Sequence, residues 1–486
     1  MRKGDRKERR KERRDADGTL FSVSVRDLDP EREIGVLFGT KTIAEARKET
    51  DEGNGGHRRG ATVKRTPNSL VLWKEGWPWF DGKGSGCEMK WDAERKRFAF
   101  VCGRDGDNVH MQFLTALQSN DPHAVGDLLG FYPWNAEVLA QMGVLYLQFG
   151  EQDHAEDMFA RALFAFQNSF HPMFTLHGGC RMDYSEGLNA TFFLALFRYA
   201  NLLNTRGCSR TALEFVKFLA TLDDSDPLGA LLLVDHFALR AAAFDFVVEL
   251  NHNRVNPDLA LYPNVMFSTA LAQFRVQQAA PDKACDFLLV KALFCYPQVL
   301  RLLAEKMSAE TTMHSVLALP LFASGNPHLP ALPEGLEHVE NVFAARNATL
   351  WKVDTVLAWL TRCATEASRV CADVESHPEF RQLAENMSVF YTSGRLAQLA
   401  NIYRHLVVSD FTDNVARLPR EALEEMLAED EMEAMRMNVR RRPVVHAPTN
   451  NLLSLFLSTL LPWLPVPNAP YEEPSSSSSS EDEHED

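Results

Sequence analysis

Between Asn135 and Asn168 the chain reads NAEVLAQMGVLYLQFGEQDHAEDMFARALFAFQN. Met142-Gly143, Tyr146, Ala155, Phe159 and Ala162 fall at the offsets of a tetratricopeptide-like helix pair. Each position has a steric role. Gly143 lets the paired helix approach, Tyr146 fills the gap between the helices, and Ala155 sits where they cross. Phe159 and Ala162 are expected to meet the following unit. Leu139 stands where such pairs usually carry Trp, and Gln167 where they carry Pro, so six of eight signature positions hold.

A second pair is expected from Phe192 to about Leu222, where Leu196, Tyr199-Ala200, Leu203, Ala212, Val216 and Leu219 repeat the offsets. Gly150 and Gly207 occupy the two turns. They lie 57 residues apart rather than the roughly 34 of a regular array, so extra helical material is expected between them. Further helices are predicted in LLLVDHFALRAAAFDFVVEL, around Lys283–Tyr296, and over about Glu337–Ala367 and Glu379–Leu406. Residues 319–335, with four prolines, read as a loop or linker. Ahead of the helices, CEMKW and RFAFV alternate around DAERK and predict a β-hairpin. The expected fold is all-α: an irregular α-solenoid with tetratricopeptide-like helix pairs, a small N-terminal β-hairpin and disordered termini. Its expected segments are a basic, mostly disordered arm (1–65) and a small aromatic-rich segment with the hairpin (66–108). The solenoid (109–300), a C-terminal helical region (301–466) and a disordered Ser/acidic tail (467–486) follow.

Acids outnumber bases 66 to 51, for a net charge of −15 over 486 residues. Residues 1–15 hold an excess of +5 and residues 472–486 carry −7, which leaves −13 for the rest. An acidic body argues against broad coating by DNA or RNA, because phosphate contacts need clustered Lys and Arg. The basic arm, with Arg9, Arg10, Lys11, Arg13 and Arg14, suits docking on RNA phosphates, nuclear import, or an idle solvated helix. Six serines before the acidic cluster suggest an acid-directed kinase substrate. The N-terminus has no apolar leader segment. The uncharged stretch Asn451–Pro467 is shorter than the ~20 residues of a spanning helix and is broken by Pro462 and Pro465. A soluble, intracellular chain with no membrane partner is expected, and the sequons at Asn189, Asn347 and Asn386 read as chance matches. Eight cysteines include no C-x-x-C pair, so zinc modules and thioredoxin-like chemistry lack an anchor. They read as buried thiols in a reducing compartment.

No Walker A sequence and no H-E-x-x-H occurs. GKGSGC (82–87) precedes a hairpin instead of opening a helix, so no helix dipole would face a phosphate. His177 and Cys180 in HGGC hint at a thiol nucleophile, yet a buried structural cysteine beside a glycine turn explains them more simply. No catalytic residue, metal ligand or cofactor is expected. A polar constellation stands out instead: Arg181, Asp183 and Tyr184 in CRMDY, Arg210 and Glu214 in RTALE, and Asp235 and Arg240 on the next helix. It reads either as ion pairs and caps that fix the curvature of the solenoid, or as a charged groove for a partner peptide.

The ordered set LFG (Leu37, Phe38, Gly39), Trp77-Pro78, QFLTALQSNDP, FHPMF, CRMDY, RGCSRTALE and LLLVDHFALRA resembles the transcription factor 25 family. That family is also known as nuclear localised protein 1 and, in fungi, ribosome quality control complex subunit 1. The resemblance starts near Asp27 and continues more weakly to SGRLAQLANIYRHLVVSD and NLLSLFLSTLLPWLPV, covering most of residues 27–466. Two features depart from the family. A short basic remnant replaces its long mixed-charge N-terminal region, and Tyr132-Pro133-Trp134-Asn135 replaces its proline-aromatic-histidine step. The resemblance implies a non-enzymatic adaptor of ribosome-associated quality control, cytoplasmic and ribosome-associated. Such an adaptor promotes ubiquitination and proteasomal degradation of stalled nascent chains on large ribosomal subunits. The partners it implies are a listerin-type E3 ubiquitin ligase, the large ribosomal subunit, ubiquitin and the valosin-containing-protein ATPase. The polar constellation, with Leu37, Phe38 and Gly39, supplies the candidate partner-binding residues. The older name implies the alternative, a nuclear transcriptional repressor acting through protein partners. The −13 body and the lack of a basic recognition helix favour the first reading, and no sequence-specific DNA contact is expected.

Overall fold

The computed structural model describes residues 20–39, 68–80, 84–103, 106–118, 122–252, 257–277, 282–392, 401–409 and 411. The arm bearing Arg9, Arg10, Lys11, Arg13 and Arg14, the apolar stretch 451–467 and the Ser/acidic tail lie outside them. Asp29 opens α1 (Pro30–Phe38) by accepting the Arg32 N–H, with Pro30 pre-set for the first turn. The predicted hairpin follows as β1 (Cys87–Asp92) and β2 (Arg97–Cys102), antiparallel from Cys87↔Cys102 to Asp92↔Arg97. Two helices, α2 (Gly106–Gln118) and α3 (Pro122–Phe131), lead into the first predicted pair, α4 (Ala136–Gln148) and α5 (Gln152–Gln167).

That pair forms as its pattern requires. Asn135 caps α4 by accepting the Val138 N–H at 3.0 Å, and Gly150 makes the turn at φ +78°. A Cβ on Gly143 would lie 2.8, 2.9 and 3.0 Å from three atoms of the Phe159 ring. Phe159 therefore fills the notch over Gly143 inside its own pair, in place of the contact with the following unit that its position in the repeat predicts. The second pair is α6 (Asn189–Thr205) and α7 (Ser209–Leu222), with Gly207 in the turn at φ +94°.

The stretch between the pairs corrects the expectation of extra helix. Residues 168–188 contain no helix. Pro172 and the positive-φ Gly178 and Gly179 break it, and its aromatic side chains find better burial on the hairpin. Phe98 donates its N–H to the Arg181 carbonyl at 2.7 Å, and Leu188 donates to the Phe100 carbonyl at 2.8 Å. Phe98 meets Phe174 edge-on at 5.2 Å, while Phe100 sits 4.7 Å from Phe166 and 5.1 Å from Phe192. The hairpin thus wedges between the two pairs and joins their cores.

The remaining helices are α8 (Val234–Arg240), α9 (Phe244–Asn251), α10 (Pro263–Val276), α11 (Lys283–Cys295) and α12 (Gln298–Met307). After them come α13 (Glu310–Leu317), α14 (Pro320–Ser324), α15 (Glu334–Trp351), α16 (Asp354–Ala372), α17 (Pro378–Thr392) and α18 (Asn401–Val408). Helix α12 packs on α15 and α11 on α16, so the later helices fold back over the earlier ones. The proline-rich stretch 319–335 is a loop after its first residues, as far as Pro333. It opens with α14, and its Asn326 donates to the Phe294 carbonyl at 2.7 Å. One buried apolar cluster runs from Val23 to Val408. Two sequon asparagines, Asn189 and Asn347, are 0% and 1% exposed and hydrogen-bonded within the core. None of the eight cysteines forms a disulfide among the described residues. No single helix among the described residues is long and apolar enough to cross a membrane.

Candidate interaction surface

Residues 20–39 form a strap across the second helix pair. Val23 and Leu28 are buried, and Phe21 meets Phe246 edge-on at 5.9 Å. Polar contacts fix the strap's register. The Ser24 N–H donates to Glu214 Oε2 at 2.6 Å. The Glu33 carboxylate accepts the Arg210 N–H, the Thr211 N–H and the Thr211 hydroxyl, each at 2.8 Å. Cys208, at the N-cap position of α7, offers no side-chain cap of its own. Glu33 therefore caps α7 from 177 residues upstream in the chain and sets a negative charge at the positive end of the helix dipole. Beside it, Arg206 bridges Glu156 at 2.5 Å and Glu31 at 3.6 Å. Burial raises the Glu156 carboxyl pKa, and the Arg206 and Lys74 charges work against that rise. The strap ends in Val36, Leu37 and Phe38, which are 78%, 61% and 68% exposed, and Gly39 closes the helix at φ +85°.

The expected partner-binding residues divide into three groups. Leu37, Phe38, Gly39, Arg210 and Glu214 come together along the strap. Arg240 joins them through bonds to the Ser209 hydroxyl at 3.4 Å and the Asn204 carbonyl at 3.5 Å. Arg181, Asp183 and Tyr184 lie at the other end of α7, which at 14 residues is about 20 Å long. There Arg181 donates to the Thr221 carbonyl and pairs with Asp224 at 3.0 Å, and the Tyr184 N–H donates to Asp223 at 3.0 Å. Asp183 faces Arg97 at 3.5 Å, and the Arg404 guanidinium lies 5.0 Å from the Tyr184 ring centre. Asp235 stands apart. It is 1% exposed and accepts from Asn264 at 2.9 Å and Ser268 at 2.6 Å, with burial raising its pKa.

Three residues outside the sequence reading complete this frame. Glu33 is one. The others are Arg346 and His405, which close α15 and α18 onto the earlier helices. Arg346 donates to the Leu232 carbonyl at 2.9 Å, the His405 Nε2 at 2.8 Å and the Ser409 hydroxyl at 3.1 Å. His405 Nδ1 sits 2.7 Å from the Leu228 carbonyl, so its neutral form donates there and accepts from Arg346. Burial, with the Arg346 charge beside it, holds the His405 pKa well below its ordinary value. Burial also brings Arg346 down to about 9. His177 is exposed, whereas the buried Cys180 sulfur accepts the Thr175 N–H at 3.3 Å, an ordinary structural role.

These features define an α-helical repeat scaffold. Its charged side chains bind helices to one another and to a strap with an exposed apolar tip. The chain belongs to the family described as transcriptional repressor TCF25, whose model matches residues 98–433. It is 30% identical over 363 residues to the ribosome quality control complex subunit TCF25 of Dictyostelium discoideum, a match covering 68% of this chain and 48% of that protein. It is 29% identical over 467 residues to the human protein of the same name, covering 91% of this chain and 66% of the relative. The ribosome quality control complex subunit 1 of Schizosaccharomyces pombe is 28% identical over 374 residues, covering 76% of this chain and 53% of the relative. The chain thus matches between about half and two thirds of the length of these relatives. No solved structure matches it.

Proposed function

We propose that this chain is a non-enzymatic adaptor of ribosome-associated quality control, acting in the cytoplasm on large ribosomal subunits that hold stalled nascent chains. The observation that carries the reading is a match spanning 91% of the chain to a human relative named as a subunit of that complex. On this reading the scaffold orients a listerin-type ligase and ubiquitin, and favours ubiquitination that sends the nascent chain to the proteasome. Orientation alone lowers barriers when reactants are held in a productive geometry. The valosin-containing-protein ATPase is the partner for extraction. The basic arm with Arg9, Arg10, Lys11, Arg13 and Arg14 would meet ribosomal RNA, so docking weakens steeply as salt rises. Leu37 and Phe38 are the partner contacts of first choice, because they are exposed apolar side chains on an anchored element.

The test is sucrose-gradient fractionation with a translation-stalling reporter. Expected are co-sedimentation with large subunits and accumulation of the stalled product when the chain is absent. A protein confined to the top of the gradient, together with unchanged turnover of the reporter, refutes the reading. A Leu37→Ser/Phe38→Ser double variant should keep its thermal stability and lose capture of the ligase. The name of a fungal relative, probable transcription factor claV, favours the second reading of a nuclear regulator acting through protein partners. That reading predicts chromatin occupancy that disappears on deletion of residues 1–15.

A further inference from the structure

Cys102 ends β2, His110 lies on the second turn of α2, and Glu137 on the first turn of α4. Their ligand atoms all lie within 4.8 Å of one another. His110 Nδ1 is 3.0 and 2.9 Å from the two Glu137 carboxylate oxygens. Around a tetrahedral zinc, bonds of ~2.3 Å to sulfur and ~2.0 Å to nitrogen place those two atoms ~3.5 Å apart. Side-chain movements of about an ångström therefore separate the set from that geometry.

The backbone is arranged to keep the three residues together. Two of the segments bond directly to one short stretch, Ser85-Gly86, and the third bonds to Gly103 beside it. The Gly103 N–H donates to the Gly86 carbonyl at 3.0 Å, the Gly106 N–H to the Gly103 carbonyl at 2.9 Å, and the Ala136 N–H to the Ser85 carbonyl at 3.2 Å. Gly106 approaches so closely that a Cβ there would collide with the Gly86 carbonyl oxygen. Glu137 is 8% exposed, and a carboxylate that deep needs a cation or a protonated partner. A histidine and a carboxylate alone could satisfy each other. The thiolate donor at the same point completes a borderline-soft set that suits zinc and disfavours magnesium and calcium, which take oxygen ligands.

We propose that Cys102, His110 and Glu137 bind a zinc-class divalent cation, with water in the fourth position, and that the ion clasps the hairpin to the first helices of the solenoid. On binding, the Cys102 thiol releases its proton to solvent and coordinates as thiolate, and the His110 nitrogen that takes the ion gives up the proton it shares with Glu137, to solvent or to the other ring nitrogen. With no C-x-x-C, and with ligands on three separate elements, the set is invisible to spacing rules.

The experiment uses the chain of residues 1–486, stripped of metal and titrated with Co²⁺. About one equivalent should bind with a thiolate-to-cobalt charge-transfer band and the ligand-field bands of a four-coordinate site. Cys102→Ser should abolish the charge-transfer band, while Cys180→Ser, a buried thiol elsewhere, should keep it. Zn²⁺ should raise the melting temperature of the native chain and leave that of His110→Ala unchanged. Circular dichroism checks that each variant is folded. No cobalt uptake overturns the proposal, as does a charge-transfer band that survives in folded Cys102→Ser. An equal zinc response in folded His110→Ala reduces the cluster to an ion pair beside a thiol.

Discussion

Removing the Glu33 side chain tests whether the strap is held by the cap it gives to α7. Glu33→Ala deletes an acceptor of three 2.8 Å hydrogen bonds from the first turn of that helix. Charge-assisted bonds are worth about 1.5–3 kcal/mol each when the donors are left dry. Glu33 is half-buried and the Arg210 contact is exposed, so water replaces part of what is lost. The scale of an N-cap, at most about 2 kcal/mol, is the better guide. A loss of ~2 kcal/mol raises the population of the released strap about 30-fold. Val23 and Leu28 remain buried, so the release is local and the melting temperature changes little. Amide exchange over residues 30–38 and tryptic cleavage at Arg32 report that population, because cleavage follows the open fraction when reclosing is fast. Glu33→Gln keeps one acceptor oxygen and loses the charge, and should fall between the two. A change below about threefold in exchange at the strap and at Arg210 and Thr211 would show that Glu33 does not hold it.

Two other perturbations probe the packing. Gly143→Ala forces a methyl to within 2.8 Å of the buried Phe159 ring, an overpacking cost of about 1–3 kcal/mol against about 1 kcal/mol of helix propensity gained. Net destabilisation is expected in chemical denaturation, with Phe159→Leu relieving it in the double variant. A single variant as stable as the native chain refutes the contact. Glu340→Gln tests a buried acid, since burial and then the Glu337 charge push the Glu340 carboxyl up from 4.5 to about 8. The folded state then binds the proton more tightly, so this stability is full below about pH 4.5 and is lost as pH rises to about 8. Relative to the native chain, the variant should gain roughly 4 kcal/mol between pH 4.5 and 8 and change little below that window. An equal difference at pH 5 and pH 8 contradicts the assignment.

The elements legible in the sequence are those whose partners lie close along the chain. Gly143, Ala155 and Phe159 specify the first pair because a helix pair meets itself across one turn. The hairpin follows from alternation in CEMKW and RFAFV across a four-residue turn. Residues 168–188 differ from the expected helix because a spacing of 57 between turn glycines says only that something intervenes. Pro172 and Gly178-Gly179 argue against a helix, but the burial that replaces it depends on Phe98 and Phe100, far back in the chain. The strap shows the same limit. Cys208 is a poor N-cap, and that vacancy is the one local sign that α7 is capped from elsewhere.

The candidate surface was legible as residues but not as roles. Arg181, Glu214, Asp235 and Arg240 were singled out for their charge, and the structure commits each of them to another segment of the same chain. A charge already committed to a buried bond costs more to redirect toward a partner than an exposed side chain does. Among the described residues, Val36, Leu37 and Phe38 carry no such commitment, since their exposed side chains end a helix that Glu33 anchors. On the proposed reading, partner recognition therefore starts with burial of this apolar tip, and the charged residues act earlier by fixing where the tip points.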